Sequence, residues 1–414
     1  MITKSYFMLF RSLTLFVVLL FLDISSFAQQ TLRPFPQHTP YYKSTIKPDH
    51  ISQKQLDEHV LNFYRQWKNR YIKSGCHPGE YFVWFELPGN KRCVSEGQGY
   101  GMMITALMAG SDPSARDTYD GLYKYYKAHT GNHKYLMAWA QNKNCRDQDK
   151  SSATDGDMDI AYSLLLANTQ WGSTGEINYL KEAQNMIAAI MKYEINLHTY
   201  SVLLSDAIEY DSKDYNDTRS SDFMPAHFKA FEKATHDARW GKVIGNNYKL
   251  FSYMQQTYSE DAGLIPDFIR HVNKKPAPSP RNYLESPYDG YYNYNACRVP
   301  WRLATDYLLT GDPRAKAITD KINHWIRETT KNKPDNISAG YTLDGNDIKG
   351  RYFEALSFIG PFAVSAMTDK KNQQWLNDVW DYLVNFKLKD YDYYDNSIKL
   401  LNMIILSGNY WEAR

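Results

Sequence analysis

The stretch Tyr179-Leu180-Lys181-Glu182-Ala183-Gln184-Asn185-Met186-Ile187-Ala188-Ala189-Ile190-Met191-Lys192-Tyr193 places Tyr179, Leu180, Ala183, Met186, Ile187 and Ile190 along one stripe at helical spacing. A strand would need apolar residues at every second position, so this period specifies an amphipathic helix. The same spacing recurs through most of the chain, and alternating strand-like runs are scarce. Periodic segments fall at about 51–73, 97–110, 113–129, 157–169, 178–193, 222–233, 237–257, 295–310, 312–329, 352–368, 372–386 and 393–407. Between them, Ser111-Asp112-Pro113, Gly172-Ser173-Thr174-Gly175 and Gly311-Asp312-Pro313 each stop one helix and start another. Short punctuation of this kind makes neighbours antiparallel. Six helical hairpins then suggest an all-α closed double ring, although an open helical array would have the same count. No repeat period is evident, which disfavours a regular solenoid.

Long connections at about 74–96, 130–156, 194–221, 258–294 and 330–351 carry many Tyr, Trp, Asp and Asn residues, and loops of this length in a compact domain are usually functional. The Pro-rich piece Lys275-Pro276-Ala277-Pro278-Ser279-Pro280 reads as a stiff loop, because helical pattern resumes soon after it.

Among 414 residues, Lys+Arg 48 against Asp+Glu 46 leaves a net charge of +2, which nominates no nucleic-acid partner. Aromatic residues reach 15%, with Tyr 34 and Trp 10, an excess that asks for a use. Residues 1–28 read as a secretion signal, with Lys4 and Arg11 ahead of an apolar run from Leu13 to Leu22, and Ser26-Phe27-Ala28 at the cleavage point. The run is short for a retained membrane anchor, and no later segment is apolar enough to span a bilayer. The expectation is therefore one catalytic-sized domain from residue 29 to 414, secreted or periplasmic, and monomeric. Cys76, Cys93, Cys145 and Cys297 match no zinc spacing, and both a bridge and free buried thiols remain open.

Three loops carry acidic residues in unusual company. In Val94-Ser95-Glu96-Gly97-Gln98-Gly99-Tyr100-Gly101, a carboxylate stands at the start of an apolar helix among glycines that admit close approach of a backbone or ligand. Favourable placement at a helix N-terminus is the plain alternative. In Ala153-Thr154-Asp155-Gly156-Asp157-Met158-Asp159, three carboxylates precede an apolar run. One would suffice for capping, and a calcium loop is disfavoured because the glycine and distal glutamate are out of place. The third stretch, Arg281 to Arg302, packs Tyr283, Tyr288, Tyr291, Tyr292, Tyr294 and Trp301 beside two acids, Glu285 and Asp289. Flat apolar faces next to hydrogen-bonding groups suit sugar rings, and an aromatic-packed loop is the alternative. No G-x-S-x-G, P-loop, H-E-x-x-H or dinucleotide pattern occurs, so no metal or cofactor is expected. His133, His227 and His236 read as surface or satisfied loop groups.

At these residues the sequence resembles glycoside hydrolase family 8, inverting enzymes that cut β-1,4-linked polysaccharides and fold as an (α/α)6 barrel. The likeness rests on Ser95-Glu96-Gly97-Gln98-Gly99-Tyr100-Gly101, Ala153-Thr154-Asp155-Gly156-Asp157 with Ile160, Ala161 and Trp171, Ala296-Cys297-Arg298-Val299-Pro300-Trp301-Arg302, and Tyr393-Tyr394-Asp395-Asn396-Ser397. It implies Glu96 as general acid and Asp155 as the residue that holds the sugar ring at the cleavage point. Many members place an aspartate base where this chain has Asn295, whose amide cannot deprotonate water. A subgroup with asparagine there takes its base from a glutamate in the preceding loop, and Glu285 matches it, with Asp289 in reserve. Tyr100, Trp139, Trp240, Tyr294, Asn295, Arg298, Tyr393 and Tyr394 are the substrate-binding candidates. Within these, Trp240 has an equal reading as a core residue, and Arg298 as a structural ion pair.

The reading is a secreted endo-β-1,4-glucanase acting on cellulose or mixed-linkage glucan. Its rivals are a chitosanase of the same family and a noncatalytic carbohydrate-binding protein.

Overall fold

The computed structural model describes residues 31–85, 91–388 and 392–413, so the expected secretion signal at 1–28 lies outside the described residues. Among these the chain forms twelve helices. They are α1 (Gln53–Tyr71), α2 (Ser95–Leu107), α3 (Ala115–Ala128), α4 (Thr154–Trp171), α5 (Tyr179–Tyr193), α6 (Pro225–Thr235), α7 (Arg239–Tyr258), α8 (Val299–Thr310), α9 (Pro313–Thr330), α10 (Leu356–Ala366), α11 (Gln373–Asn385) and α12 (Tyr393–Leu406). Each coincides with one of the periodic segments, with ends shifted by a few residues.

Local chemistry explains the boundaries. Ser52 and Gln55 close a reciprocal capping box at the start of α1. Gly311 ends α8 at φ 73°, where a side chain would be strained, and the next residue, Asp312, caps α9 with Pro313 at its first position. At α4 the shift bears on the site: the helix begins at Thr154 rather than 157, so Asp155 and Asp157 lie inside its first turn. Exposed helical N–H groups and the dipole favour acids there, so the carboxylates extend the helix instead of only preceding it.

The even-numbered helices touch in sequence, α2 on α4, α4 on α6, α6 on α8, α8 on α10 and α10 on α12, and α12 closes on α2. Each odd-numbered helix packs outside its even neighbour. Closure excludes the open array: the fold is an (α/α)6 barrel. The two rings differ in burial. α5 buries one stripe, including Tyr179, Ala183, Met186, Ile187 and Ile190. On α4, every residue from Thr154 to Ala167 is buried. A helix enclosed on all sides has no polar face, so the inner ring loses its amphipathic signature. At the α2–α4 crossing, a Cβ on Gly99 would come within 2.7 Å of the Asp159 Cβ, and one on Gly156 within 2.6 Å of the Ser95 carbonyl carbon. The glycines at these helix starts therefore admit a neighbouring backbone, one of the two uses their spacing allowed.

Among the described residues, seven short strands stiffen the long connections, a feature the sequence pattern did not reveal because each has only two to four residues. β1 (Ile72–Ser74) pairs with β2 (Tyr81–Val83), and β3 (Lys91–Val94) pairs with β4 (Ala140–Asn142). β6 (Phe268–Arg270) joins β5 (Thr218–Arg219) to β7 (Ala277–Pro278), the last inside the Pro-rich loop and at a sheet edge, where proline is tolerated. A disulfide joins Cys76 to Cys145, whereas Cys93 and Cys297 are buried free thiols. No helix among the described residues is long and apolar enough to cross a membrane.

Candidate active site

The inner helices present their N-termini to one end of the barrel. Glu96 lies in the first turn of α2, Asp155 in that of α4, Arg298 just before α8, and Tyr393 and Tyr394 in the first turn of α12. The long connections rise around them and enclose a cleft of about 620 Å³. Its lining includes Glu96, Asp155, Arg219, Glu285, Asn295 and Arg298, with Phe85, Trp139, Tyr294, Tyr352, Tyr393 and Tyr394 as aromatic walls. Residues separated by nearly two hundred positions thus share one cavity.

Two arginines organise the carboxylates. Arg298 is buried and donates from Nη1 to Glu96 Oε2 at 2.6 Å and to Asp155 Oδ2 at 2.8 Å. Its Nη2 donates to Ser221 Oγ and to Asn295 Oδ1, each at 2.9 Å. Arg219 donates from Nη2 to Asp155 Oδ1 at 3.2 Å, grips Asp222 through Nε at 2.9 and 3.2 Å, and reaches Glu285 Oε1 from Nη1 at 3.6 Å. Asn295 donates its Nδ2 to Glu285 Oε2 at 2.7 Å. The amide at the position where an aspartate base was missing therefore holds the loop glutamate.

The electrostatics separate the acids. Burial pushes the Glu96 carboxyl up to about 7; Arg298 opposes the rise and the Asp155 charge adds to it. The Tyr393 hydroxyl donates to its other oxygen. Burial also acts to raise Asp155, but Arg219 and Arg298 outweigh it and hold that carboxyl well below the usual range. Glu285 stands in a different setting, with 44% of its side chain exposed.

Several sequence-predicted residues lie elsewhere. Trp240 is fully buried on α7, stacked on Phe228 at 5.1 Å and edge-on to Phe231, so it belongs to the core and not to the cleft. A large apolar ring facing the α6–α7 seam gains more from burial there than from water. Tyr100 is also wholly buried and sits beneath Arg298, whose Nη1 donates to its hydroxyl at 3.3 Å; it supports the floor without lining it. Asp289, the reserve base, is buried and accepts the backbone N–H groups of Leu284, Glu285 and Ser286 at 2.7, 3.0 and 2.8 Å. Its oxygens are consumed in shaping the loop that carries Glu285. His227 is not a loop group: it is buried on α6, stacked on Tyr162 and paired with Asp159 Oδ1 at 2.9 Å. His133 stacks on Tyr193 at 3.6 Å, and His236 is exposed at the left-handed end of α6.

Arg219, Asp222 and Tyr352 were not foreseen. Thr218-Arg219-Ser220-Ser221-Asp222 matches no pattern that announces chemistry, and the β5–β6 pairing, Thr218 to Ile269 and Arg219 to Phe268, helps to bring it to the cleft. The inner-ring acids Asp157 and Asp159 point away from the cavity, Asp157 accepting the Met137 N–H at 2.8 Å and Asp159 pairing with Arg302 at 2.6 Å. No group of residues suited to a metal ion occurs among the described residues.

The sequence pattern of glycosyl hydrolases family 8 matches residues 56–408. A beta-glucanase of Niallia circulans is 45% identical over 381 residues, covering 92% of this chain and 91% of that protein. An endoglucanase of Bacillus sp. (strain KSM-330) is 43% identical over 400 residues, 94% of this chain and 84% of its own length. The apo structure of a beta-1,3-1,4-glucanase from Paenibacillus sp. X4 superposes with a TM-score of 0.88 at 44% identity, covering 92% of this chain and 100% of that one.

Proposed function

This chain belongs to glycosyl hydrolases family 8 and is a glycoside hydrolase acting within glucan chains, and on that premise we propose that it cleaves β-1,4 bonds of mixed-linkage β-glucan or cellulose with inversion, using Glu96 as general acid and Glu285 as general base. The observation that carries the roles is the pairing of a largely enclosed carboxyl, 15% exposed and raised to about 7, with a water-exposed carboxylate across one cleft. Inversion needs an acid that protonates the leaving oxygen and a base that activates a water on the opposite ring face. Glu96 holds its proton near neutrality because burial disfavours its charge. Glu285 has the solvent access that a water-activating base requires, and Asn295 and Arg219 aim its two oxygens. Between them, Asp155 stays ionised beneath the ring, where it would accept sugar hydroxyls and favour a distorted ring close to the oxocarbenium-like transition state.

The aromatic walls suit glucose rings, whose C–H faces stack on Trp139, Tyr294, Tyr352 and Tyr394 while hydroxyls take the polar partners. The printed activities of the relatives, a beta-glucanase and a beta-1,3-1,4-glucanase, support mixed-linkage glucan. A chitosan chain is cationic and would favour a strongly acidic groove, whereas here Arg219 and Arg298 offset two of the four cleft carboxylates, Glu96, Asp155, Glu285 and Asp392. The Cys76–Cys145 disulfide supports an oxidising compartment and so a secreted or periplasmic enzyme.

Reducing-end release from barley β-glucan, carboxymethyl cellulose, xylan and chitosan, assayed side by side, tests the substrate. The glucans are expected to lead, and fastest release from chitosan would replace them. Proton NMR of fresh product is expected to show the α-anomer first; initial β-anomer would exclude inversion.

A further inference from the structure

Glu285 is the least enclosed of the cleft carboxylates, yet a base must face one water in one direction. Its loop is shaped by Asp289 from behind, and among the described residues the side chain is held by Asn295 on Oε2 at 2.7 Å and Arg219 on Oε1 at 3.6 Å. Arg219 itself is rigid. Its backbone is paired with Phe268 in the small sheet, and its Nε is clamped by both oxygens of buried Asp222. Ser221 Oγ donates to the same Asp222 at 3.1 Å while accepting from Arg298 at 2.9 Å. With Nε committed, the planar fork leaves Nη2 toward Asp155 and Nη1 toward Glu285. A lysine ammonium, a single point with three donors, cannot serve three carboxylates in these directions.

We propose, resting on the assignment of Glu285 as base, that Arg219 is a positioning residue that aims Glu285 at the attacking water and, through Asp155, couples the base wall of the cleft to the acid held by Arg298. Each arginine holds one of the two proton-transfer groups, and Asp155 bridges them, one oxygen to each guanidinium. The arrangement joins β5, the Glu285 loop, α4 and the turn before α8, so a displaced Arg219 would release the base without touching the sugar-stacking walls.

The test compares Arg219→Met, Arg219→Lys and Asp222→Asn with Glu285→Gln in the full-length enzyme on barley β-glucan, with kcat, KM and thermal midpoint measured for each. Arg219→Met is expected to lower kcat by about a hundredfold, the scale of a small misplacement of a reacting group, with KM changed only a few-fold. Arg219→Lys should recover less than a tenth of the loss. The pH profile adds a readout that a merely structural pair would not move. Glu96 is faced by Arg298 from the turn before α8, Asp155 from α4, Tyr393 from α12, Tyr100 from its own helix, and Arg219 from β5. Removing the Arg219 charge lets Glu96 keep its proton to higher pH, so the alkaline limb should move up. If Arg219→Met proves unstable, Asp222→Asn, which unclamps the guanidinium but keeps it, should lower kcat at nearly constant KM. Full kcat in either variant with an unchanged thermal midpoint, or an unmoved alkaline limb in Arg219→Met, would overturn the proposal. An active Glu285→Gln would overturn the base assignment and this inference with it; an inactive Glu285→Gln beside a fully active Arg219→Met would overturn the inference alone.

Discussion

Glu96 and Glu285 line the same cleft but are held by opposite means. Glu96 is part of a helix, in the first turn of an inner-ring element packed on all sides, with Arg298 and Tyr393 against its two oxygens. Glu285 rides on a loop, 44% exposed, fixed by backbone N–H groups to Asp289 and by one amide from Asn295. Desolvation pushes the first up to about 7, whereas the second stays open to water. Two carboxylates of the same residue type thus stand in different surroundings, 15% against 44% exposed, and the proposed division of roles follows that difference.

The sharpest way to break this contrast is to remove each carboxylate while keeping its shape. Glu96→Gln and Glu285→Gln should each lower kcat by about 10²–10⁴-fold with the thermal midpoint preserved, measured as reducing-end release. If Glu285→Gln stays near full rate, the rim carboxylate is not the base. Asp155→Asn comes next, at about 10²–10³-fold in kcat and less in KM, since it removes the one charge that both arginines share. The same variant sharpens the electrostatic side. As the proposed acid, Glu96 would have to be protonated to act, so the rate should fall as pH rises through about 7, and because the Asp155 charge helps to raise that carboxyl, the limb should shift to lower pH in Asp155→Asn. A limb that stays in place would mean that the Asp155 charge does not help to set Glu96. Asn295→Ala, which removes one hydrogen bond from the base, should lower kcat by about tenfold, milder than either glutamine variant. At the far end, Trp240→Ala should leave kcat of the folded enzyme unchanged but destabilise it by about 3–5 kcal/mol, read from denaturant unfolding, because the ring is core and not cleft.

Much of this is legible in the sequence. The outer helices announce themselves by an apolar stripe, as α5 does, and short caps such as Gly311-Asp312-Pro313 mark their ends. The acidic motifs around Glu96 and Asp155 and the aromatic loop around Glu285 stand out because such residues do not otherwise collect beside glycine and tyrosine. Arg219 carried no comparable mark: it is one arginine among serines, and its meaning comes from β5 pairing with β6 and from Asp222 three residues on. Tyr100 misled in the opposite sense, and Trp240 turned out as the core reading it equally allowed, since an aromatic residue has the same composition signal whether its ring faces a sugar or a neighbouring helix. The inner helices gave a weaker period than the outer ones for a related reason, as burial on every side removes the polar face that creates one.

Helix number, the order of stops and starts, and the residue types able to do acid–base work were determined by the sequence by itself, because they depend on neighbours within a turn or two. Which carboxylate keeps its proton, which arginine binds which acid, and which aromatic rings meet solvent were decided only when α12 closed on α2 and the long connections folded over that end. Those properties depend on desolvation and on charges brought together from distant positions, and no local pattern encodes either.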